Sequence, residues 1–306
     1  MYTGITVFPF SMWSSPNYFG FSFFGSIASS SLLQSYEKFI MASSTFTQST
    51  RSVEKRSPSS AYDGIDKIYI QGGYNSAYSP SSIVEKISVT TSTFTSVSSL
   101  GSVYTNTSFT NKLNIYTQYR NNVGTAYYKN KMVVSSETHN TLSSSYYPSN
   151  AISGNVQTQT QGFYFGRISS IATGAIQVLF SNDTESALFS ETNAETTTIS
   201  SWGCSKLHGY VNSIKLQNGS YQTTRKRFDF STGTFSATTS NLVATYNSSC
   251  YSSKDKLYRC GGQISPSPYW TASSESLNFS TLTAITESSM TQSRAESASS
   301  SNYLTW

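Results

Sequence analysis

The chain has 306 residues, 11% of them charged and 14% aromatic, with a formal net charge of +5. An ordinary soluble domain is roughly 25% charged, and a disordered chain is poor in aromatics. The composition therefore argues for a folded chain with few charges, and against disorder. The basic excess is dispersed, its densest cluster being Arg225-Lys226-Arg227. That is not the long basic stripe with interleaved exposed aromatics that a nucleic-acid groove needs, so no nucleic-acid partner is expected. Tyr, Phe, Thr and Val favour strands, while the best helix formers are thin, which predicts an all-β protein.

In chain order, Met1–Phe10 (MYTGITVFPF) lacks a basic start and an apolar core, and so does not read as a signal peptide. It aligns instead with Phe230–Thr238 (FSTGTFSAT) as a turn followed by an outer strand. Marker segments then recur near residues 20 (GFSFFGS), 67 (KIYIQGG), 112 (KLNIYTQ), 162 (GFYFGRI), 206 (KLHGYVN), 256 (KLYRCGG) and 302 (NYLTW). The mean spacing is about 47 residues, a period that signals propeller blades when each unit holds several strands. Helical solenoids of similar period would show 3.6-residue amphipathic runs, which are absent.

Within each period the parts keep one order. A polar-aromatic first, innermost strand comes first, as at Thr105–Thr110 or Asn241–Tyr246. The marker strand is second. A third follows at Leu33–Ile40, Ile83–Val89, Lys131–Ser135, Ala175–Phe180, Arg225–Phe230 and Ser276–Phe279. A hairpin turn, clearest at Thr232-Gly233, leads to a fourth strand at Thr45–Thr47, Thr93–Thr95 and Thr234–Ser236. The predicted fold is one β-propeller over 1–306 with four-stranded antiparallel blades. Seven markers predict seven blades, with six as the alternative. The N-terminal outer strand and the C-terminal first and second strands are expected to share one blade and so close the ring. The Gly-Gly pairs, Gly72-Gly73 and Gly261-Gly262, are expected to relieve crowding of the inner strands near the axis.

A hydrophobic strand ending in Gly-Gly, then a strand, a turn and an outer-strand aromatic resembles the kelch repeat. The segment Met290–Ser297 (MTQSRAES) is similar to the Arg-containing run that precedes the Gly-Gly strand in that family. The likeness is sharp over residues 62–100 and 224–306. It departs where Phe replaces the outer-strand Trp and where the middle repeats lack Gly-Gly. A kelch-like propeller implies a binding scaffold.

No catalytic constellation stands out. The two histidines, His139 and His208, are isolated, and the three cysteines, Cys204, Cys250 and Cys260, show no CxxC spacing. Cys250 and Cys260 can be placed across a hairpin from each other, but buried free thiols are the expected state. The acids, among them Asp63, Asp66, Asp183, Glu185, Asp229 and Glu275, fall mainly where turns are predicted. No nucleophile elbow, arginine cluster, metal or cofactor set is apparent, and a non-enzymatic chain is expected.

What remains is loop chemistry. The second-to-third loops and the blade-to-blade loops leave a propeller on one face. Here they carry Tyr74, Tyr78, Tyr127, Tyr128, Tyr146, Tyr147, Tyr269 and Trp270, with Trp13 near the first crossing. Tyr and Trp among small polar residues make adaptable binding surfaces, while the competing role for these rings is packing against the blade edges. The favoured expectation is a structural or interaction module, with a virion component (phage tail, fibre or decoration) foremost. Its partners would be other structural proteins of the assembly, or a cell-surface glycan or receptor. An intracellular kelch-like adaptor and a carbohydrate-active propeller enzyme are the alternatives. No membrane-spanning run is present, so the expected location is the virion, or otherwise the cytoplasm.

Overall fold

The computed structural model describes residues 18–28, 31–51, 55, 57–75, 79–97, 99–100, 103–121, 127–142, 150–167, 172–192, 196–216, 220–264, 269–295 and 297–301. Among them the chain forms six four-stranded antiparallel blades. Reading outward, blade 1 is Ala298–Ser301, Phe19–Phe23, Ser35–Ile40 and Thr45–Thr50; blade 2 is Ser59–Tyr62, Lys67–Gln71, Val84–Ser88 and Phe94–Ser96. Blade 3 is Val103–Thr110, Asn114–Asn121, Tyr127–Val133 and Thr138–Leu142; blade 4 is Asn150–Gln157, Gln161–Arg167, Ala172–Leu179 and Glu185–Thr192. Blade 5 is Thr196–Cys204, His208–Leu216, Arg225–Asp229 and Thr234–Thr238; blade 6 is Ser249–Ser252, Lys256–Cys260, Ser274–Asn278 and Ala284–Glu287. Each inner strand neighbours the inner strands of the blades beside it, in cyclic order. The chain is therefore an all-β propeller. No helix among the described residues is long and apolar enough to cross a membrane.

Seven blades are not formed among the described residues. Ala298–Ser301 pairs directly with Phe19–Phe23, Gly20 opposite Ser301 and Phe23 opposite Ala298. The first marker strand thus already fills the edge at which a second strand from 302 onward would have paired. The expected shared blade, with an N-terminal outer strand and a C-terminal second strand, is not shown. Both segments proposed for it, 1–10 and 302–306, lie outside the described residues. Asn241–Tyr246 also differs from expectation. It belongs to the connection between blades 5 and 6, and the inner strand is Ser249–Ser252.

The abundance of hydroxyl side chains has a structural cause. An innermost strand is a sheet edge, and its unpaired amides need acceptors. The neighbouring blade supplies them: Cys250 N–H donates to Ser299 Oγ (3.1 Å), Cys204 N–H to Ser252 Oγ (3.0 Å) and Thr110 N–H to Gln157 Oε1 (2.7 Å). Farther out the seams between blades are aromatic. Phe39 is fully buried against Phe46, Tyr251 and Tyr258, and Phe109 packs on Tyr116, Tyr164 and Phe180. Stacked and edge-on rings add to the burial of their area. Crowding is severe at Gly20, where a Cβ would lie 2.4 Å from the Tyr251 ring of the adjacent blade.

Cys250 and Cys260 cannot bridge. Cys250 is paired with Arg259 and Cys260 with Ser249, so successive register positions send the two thiols to opposite faces of the sheet. Cys250 joins Tyr210 and Leu277 in one seam, and Cys260 joins Phe39 and Met41 in the next. Burial pushes the Cys250 thiol up to about 12 and raises the Cys260 thiol as well. His139 lies in a fourth strand with its Nδ1 2.9 Å from Asn130 Oδ1, and His208 begins a second strand beside Asp229. Among the described residues no cluster of three or more metal-ligating side chains occurs.

Candidate binding face

The blade geometry divides the connections between two faces. The second-to-third and blade-to-blade connections emerge on one, here called the upper face. The first-to-second and third-to-fourth turns emerge on the other, the lower face.

The Gly-Gly pairs build the upper face, and where they are crowded it is by the connections: a Cβ at Gly261 would lie 2.6 Å from Arg294 O and one at Gly262 3.0 Å from Tyr246 O. They stand just past the ends of the second strands, and all four glycines have positive φ: 62° and 86° at Gly72 and Gly73, 67° and 108° at Gly261 and Gly262. Two successive left-handed residues turn the chain out of the sheet, which glycine does without a Cβ penalty. The turned-out chain is then held by its own backbone. Gly262 N–H donates to Arg294 O (2.7 Å), and Thr271 N–H donates to Gly262 O (2.9 Å). Blade 1 repeats the arrangement with Phe24 and Gly25, at φ 57° and 102°.

Beyond these turns stand small hairpins. In blade 6, Gln263–Ile264 pairs with Tyr269–Trp270. In blade 1, Ser26–Ala28 pairs with Ser31–Leu32 and lies beside the blade 6 hairpin. In blade 2, Tyr74 bridges Pro80. The blade 6 hairpin is tied sideways to blade 5. Tyr246 and Gln263 exchange backbone hydrogen bonds of 2.9 and 2.8 Å, and Tyr221 stacks on Tyr246 with ring centroids 5.7 Å apart. Tyr221 OH donates to Gln263 Oε1 (3.4 Å). The Tyr221–Tyr246 stack thus lies beside Gln263, which Trp270 opposes across the hairpin, while Tyr269, the preceding residue, faces the other way. Tyr269 is 60% exposed. The Trp270 indole N–H is shielded from solvent and has no acceptor among the described residues.

A set of buried ion pairs underpins this face. Glu37, Glu85 and Glu275 each occupy a third strand, and each meets a buried cation. Arg294 and Glu37 are both 0% exposed and 3.0 Å apart. The same guanidinium donates to the carbonyls of Ser22, Phe24 and Ser35 at 3.2 to 3.3 Å, and Glu37 also accepts Thr291 N–H (2.9 Å) and Gln292 N–H (3.1 Å). In blade 2, Lys55 reaches Ile83 O (3.2 Å) and Glu85 (3.4 Å), with Arg51 2.6 Å from the other carboxylate oxygen. In blade 6, Glu275 lies 2.9 Å from Arg225 and 3.3 Å from Arg259. Burial lowers the proton affinity of Arg294, Arg225 and Lys55, and the facing carboxylates oppose that shift. Arg294 and Lys55 act as staples between blades. Each gives its carbonyl to a glycine amide of the preceding blade, Gly262 and Gly25 respectively, and its side chain to the glutamate of the following one.

The sequence candidates divide accordingly. Tyr269 and Trp270 sit together on the blade 6 hairpin, and Tyr74 is half-buried on blade 2. Tyr127 and Tyr128 are not in a loop but open the third strand of blade 3, where Tyr128 is partly exposed and stacks on Tyr119 at 5.7 Å. Tyr78, Tyr146, Tyr147 and Trp13 lie outside the described residues. Tyr221 and Tyr246 are the members that sequence reasoning missed, because they precede and follow a whole strand pair and meet only through the fold. No family model matches this sequence, and no curated protein matches it.

Proposed function

We propose that this chain is a non-enzymatic, kelch-like interaction module of a virion, such as a phage tail, fibre or decoration component. It binds a cell-surface glycan or receptor through the upper face of blades 5 and 6, and sits among other structural proteins of the assembly. The observation that supports this reading most is the blade 6 hairpin. Its exposed Tyr269 and half-buried Trp270 stand on a base fixed by backbone exchange and buried ion pairs. An exposed tyrosine ring with a hydroxyl at its tip suits ring stacking combined with a hydrogen bond, at a small cost in ordering. The low charge and the wealth of Ser, Thr and Tyr support the virion assignment by composition. The buried glutamates are already committed to structural pairs, which supports a binding role over an acid–base one.

A glycan array followed by titration of the best ligand tests the reading. The Tyr269→Ala and Trp270→Ala variants are expected to keep Tm within about 3 °C of the parent and to lose about tenfold or more in affinity, the scale of an aromatic anchor. A large drop in Tm with unchanged affinity would place the rings in packing, and turnover of the bound glycan would make the protein an enzyme.

A further inference from the structure

The three ion-pair sites beneath the upper face do not balance alike. Between blades 6 and 1 one guanidinium, Arg294, meets one carboxylate, Glu37, and both are fully buried. In blade 2 two cations share Glu85, but the second of them, Arg51, is 28% exposed, so solvent screens it. Between blades 5 and 6 two guanidiniums, Arg225 and Arg259, share Glu275, and all three side chains are 1% exposed. This seam therefore holds one surplus positive charge away from water.

The two guanidiniums are not equally served. Arg225 donates from Nε to Asn212 Oδ1 (2.7 Å), from Nη1 to Thr239 O (3.3 Å) and from Nη2 to Glu275 Oε1 (2.9 Å). The other oxygen of Glu275 accepts Leu242 N–H (2.8 Å). Arg259 donates from Nη1, to Thr245 Oγ1 (3.1 Å) and Gly261 O (3.0 Å). Its Nη2 comes within 3.3 Å of Glu275 without hydrogen-bonding to it, and neither Nη2 nor Nε has an acceptor among the described residues. Arg294 also leaves its Nε unmatched, but there the pair is balanced.

The side chains of the seam do not supply the missing negative charge. The ionisable groups around Arg225 are Glu275, Cys250, Arg259 and Tyr210. Burial raises the Tyr210 phenol and pushes the Cys250 thiol up to about 12, so both are neutral at pH 7. A guanidinium keeps its proton in a folded protein. A buried charge left uncompensated is strongly destabilising, so a counter-ion drawn from solution is the remaining source of balance.

We propose that the seam between blades 5 and 6 binds one small monovalent inorganic anion, of which chloride is the type, at the Nε–Nη2 edge of Arg259. A single surplus charge calls for a single negative charge. Tyr210, Leu257 and Leu277 pack the same seam, which favours a small ion over a bulky one. Arg259 stands two residues before Gly261, where the chain turns out toward the blade 6 hairpin. The ion thus fixes the base of the upper face without forming part of its exposed surface.

The test is thermal unfolding of the intact chain in sodium chloride and in sodium gluconate at equal ionic strength, gluconate being too large for the seam. Tm is expected to rise with chloride and level off, as one site saturates, ending about 3 °C or more above the gluconate value. Arg259→Met, which leaves Arg225 and Glu275 as a balanced pair, is expected to lose this response. Tyr269→Ala is expected to keep it, which separates the ion from the binding face above. Anomalous scattering from bromide-soaked crystals of the parent chain is expected to place an ion beside Arg259 Nε, and this decides the matter if Arg259→Met does not fold. Equal Tm in the two salts would overturn the proposal. So would a chloride response that persists in Arg259→Met, or bromide found only at other positions.

Discussion

Replacing Arg294 with Met is expected to destabilise the protein by about 3–5 kcal/mol, the cost of leaving a buried partner charge uncompensated. The Glu37 carboxylate is 0% exposed, and after the change it would keep only the Thr291 and Gln292 amides. The carbonyls of Ser22, Phe24 and Ser35 would lose a shared donor at the same time. For a domain of this size the corresponding fall in Tm is roughly 10 °C. Thermal unfolding of Arg294→Met, Glu37→Leu and the double variant measures it. The double variant is expected to recover most of the loss, because it removes both buried charges together. Arg51→Met is the contrast. Arg51 is 28% exposed and Lys55 remains beside Glu85, so a loss of about 1 kcal/mol is expected. Equal losses at Arg294 and Arg51 would mean that burial does not set the strength of these pairs.

The second large effect is expected at Gly25. Its φ is 102°, and a Cβ there would lie 2.4 Å from the Ala295 carbonyl oxygen, a backbone atom of the connection that returns from blade 6. Gly25→Ala thus adds conformational strain of about 1–3 kcal/mol to a clash that a side-chain rotation cannot relieve. A total loss of about 3 kcal/mol or more is expected in chemical denaturation. Gly233→Ala is the control, with a similar positive φ of 68° but its nearest atom 3.9 Å away at Leu188. About 1 kcal/mol is expected there. If the two substitutions cost the same, the close approach between blades at Gly25 would be refuted.

The period, the four-strand unit and the all-β class were legible because they are local. Strand-forming runs, Thr-Phe-Thr outer strands and hairpin turns repeat within each stretch of sequence. The blade count was not, because one blade takes its inner strand from Ala298–Ser301 and its other strands from Phe19–Thr50, and counting markers counts that blade twice. Gly-Gly was legible as a repeat element but not as a conformation. Its role came from φ, and the crowding expected of it is set at Gly261 by the returning connection, at Arg294 O, while the crowding against a neighbouring blade's inner strand falls on Gly20. The staple was hidden for the same reason as the blade count. Arg294 lies in a segment that stood out for its family likeness, yet its partner Glu37 is 257 positions away. Of the binding face, the Tyr269–Trp270 pair was readable as aromatics in a proline-containing loop. Tyr221 and Tyr246 were not, since only the register between blades 5 and 6 brings them together.

The six-bladed arrangement rests on Ala298–Ser301 lying antiparallel to Phe19–Phe23, with Ser22 opposite Ser299. Directly opposed residues in such a pair stand within disulfide reach. Mild oxidation of a Ser22→Cys/Ser299→Cys variant, followed by peptide mapping, is expected to give one link between positions 22 and 299 in high yield, with Tm retained or raised. Failure of that link in a folded variant, or capture of the thiol introduced at position 299 by a different strand, would contradict the register and with it the six-bladed ring.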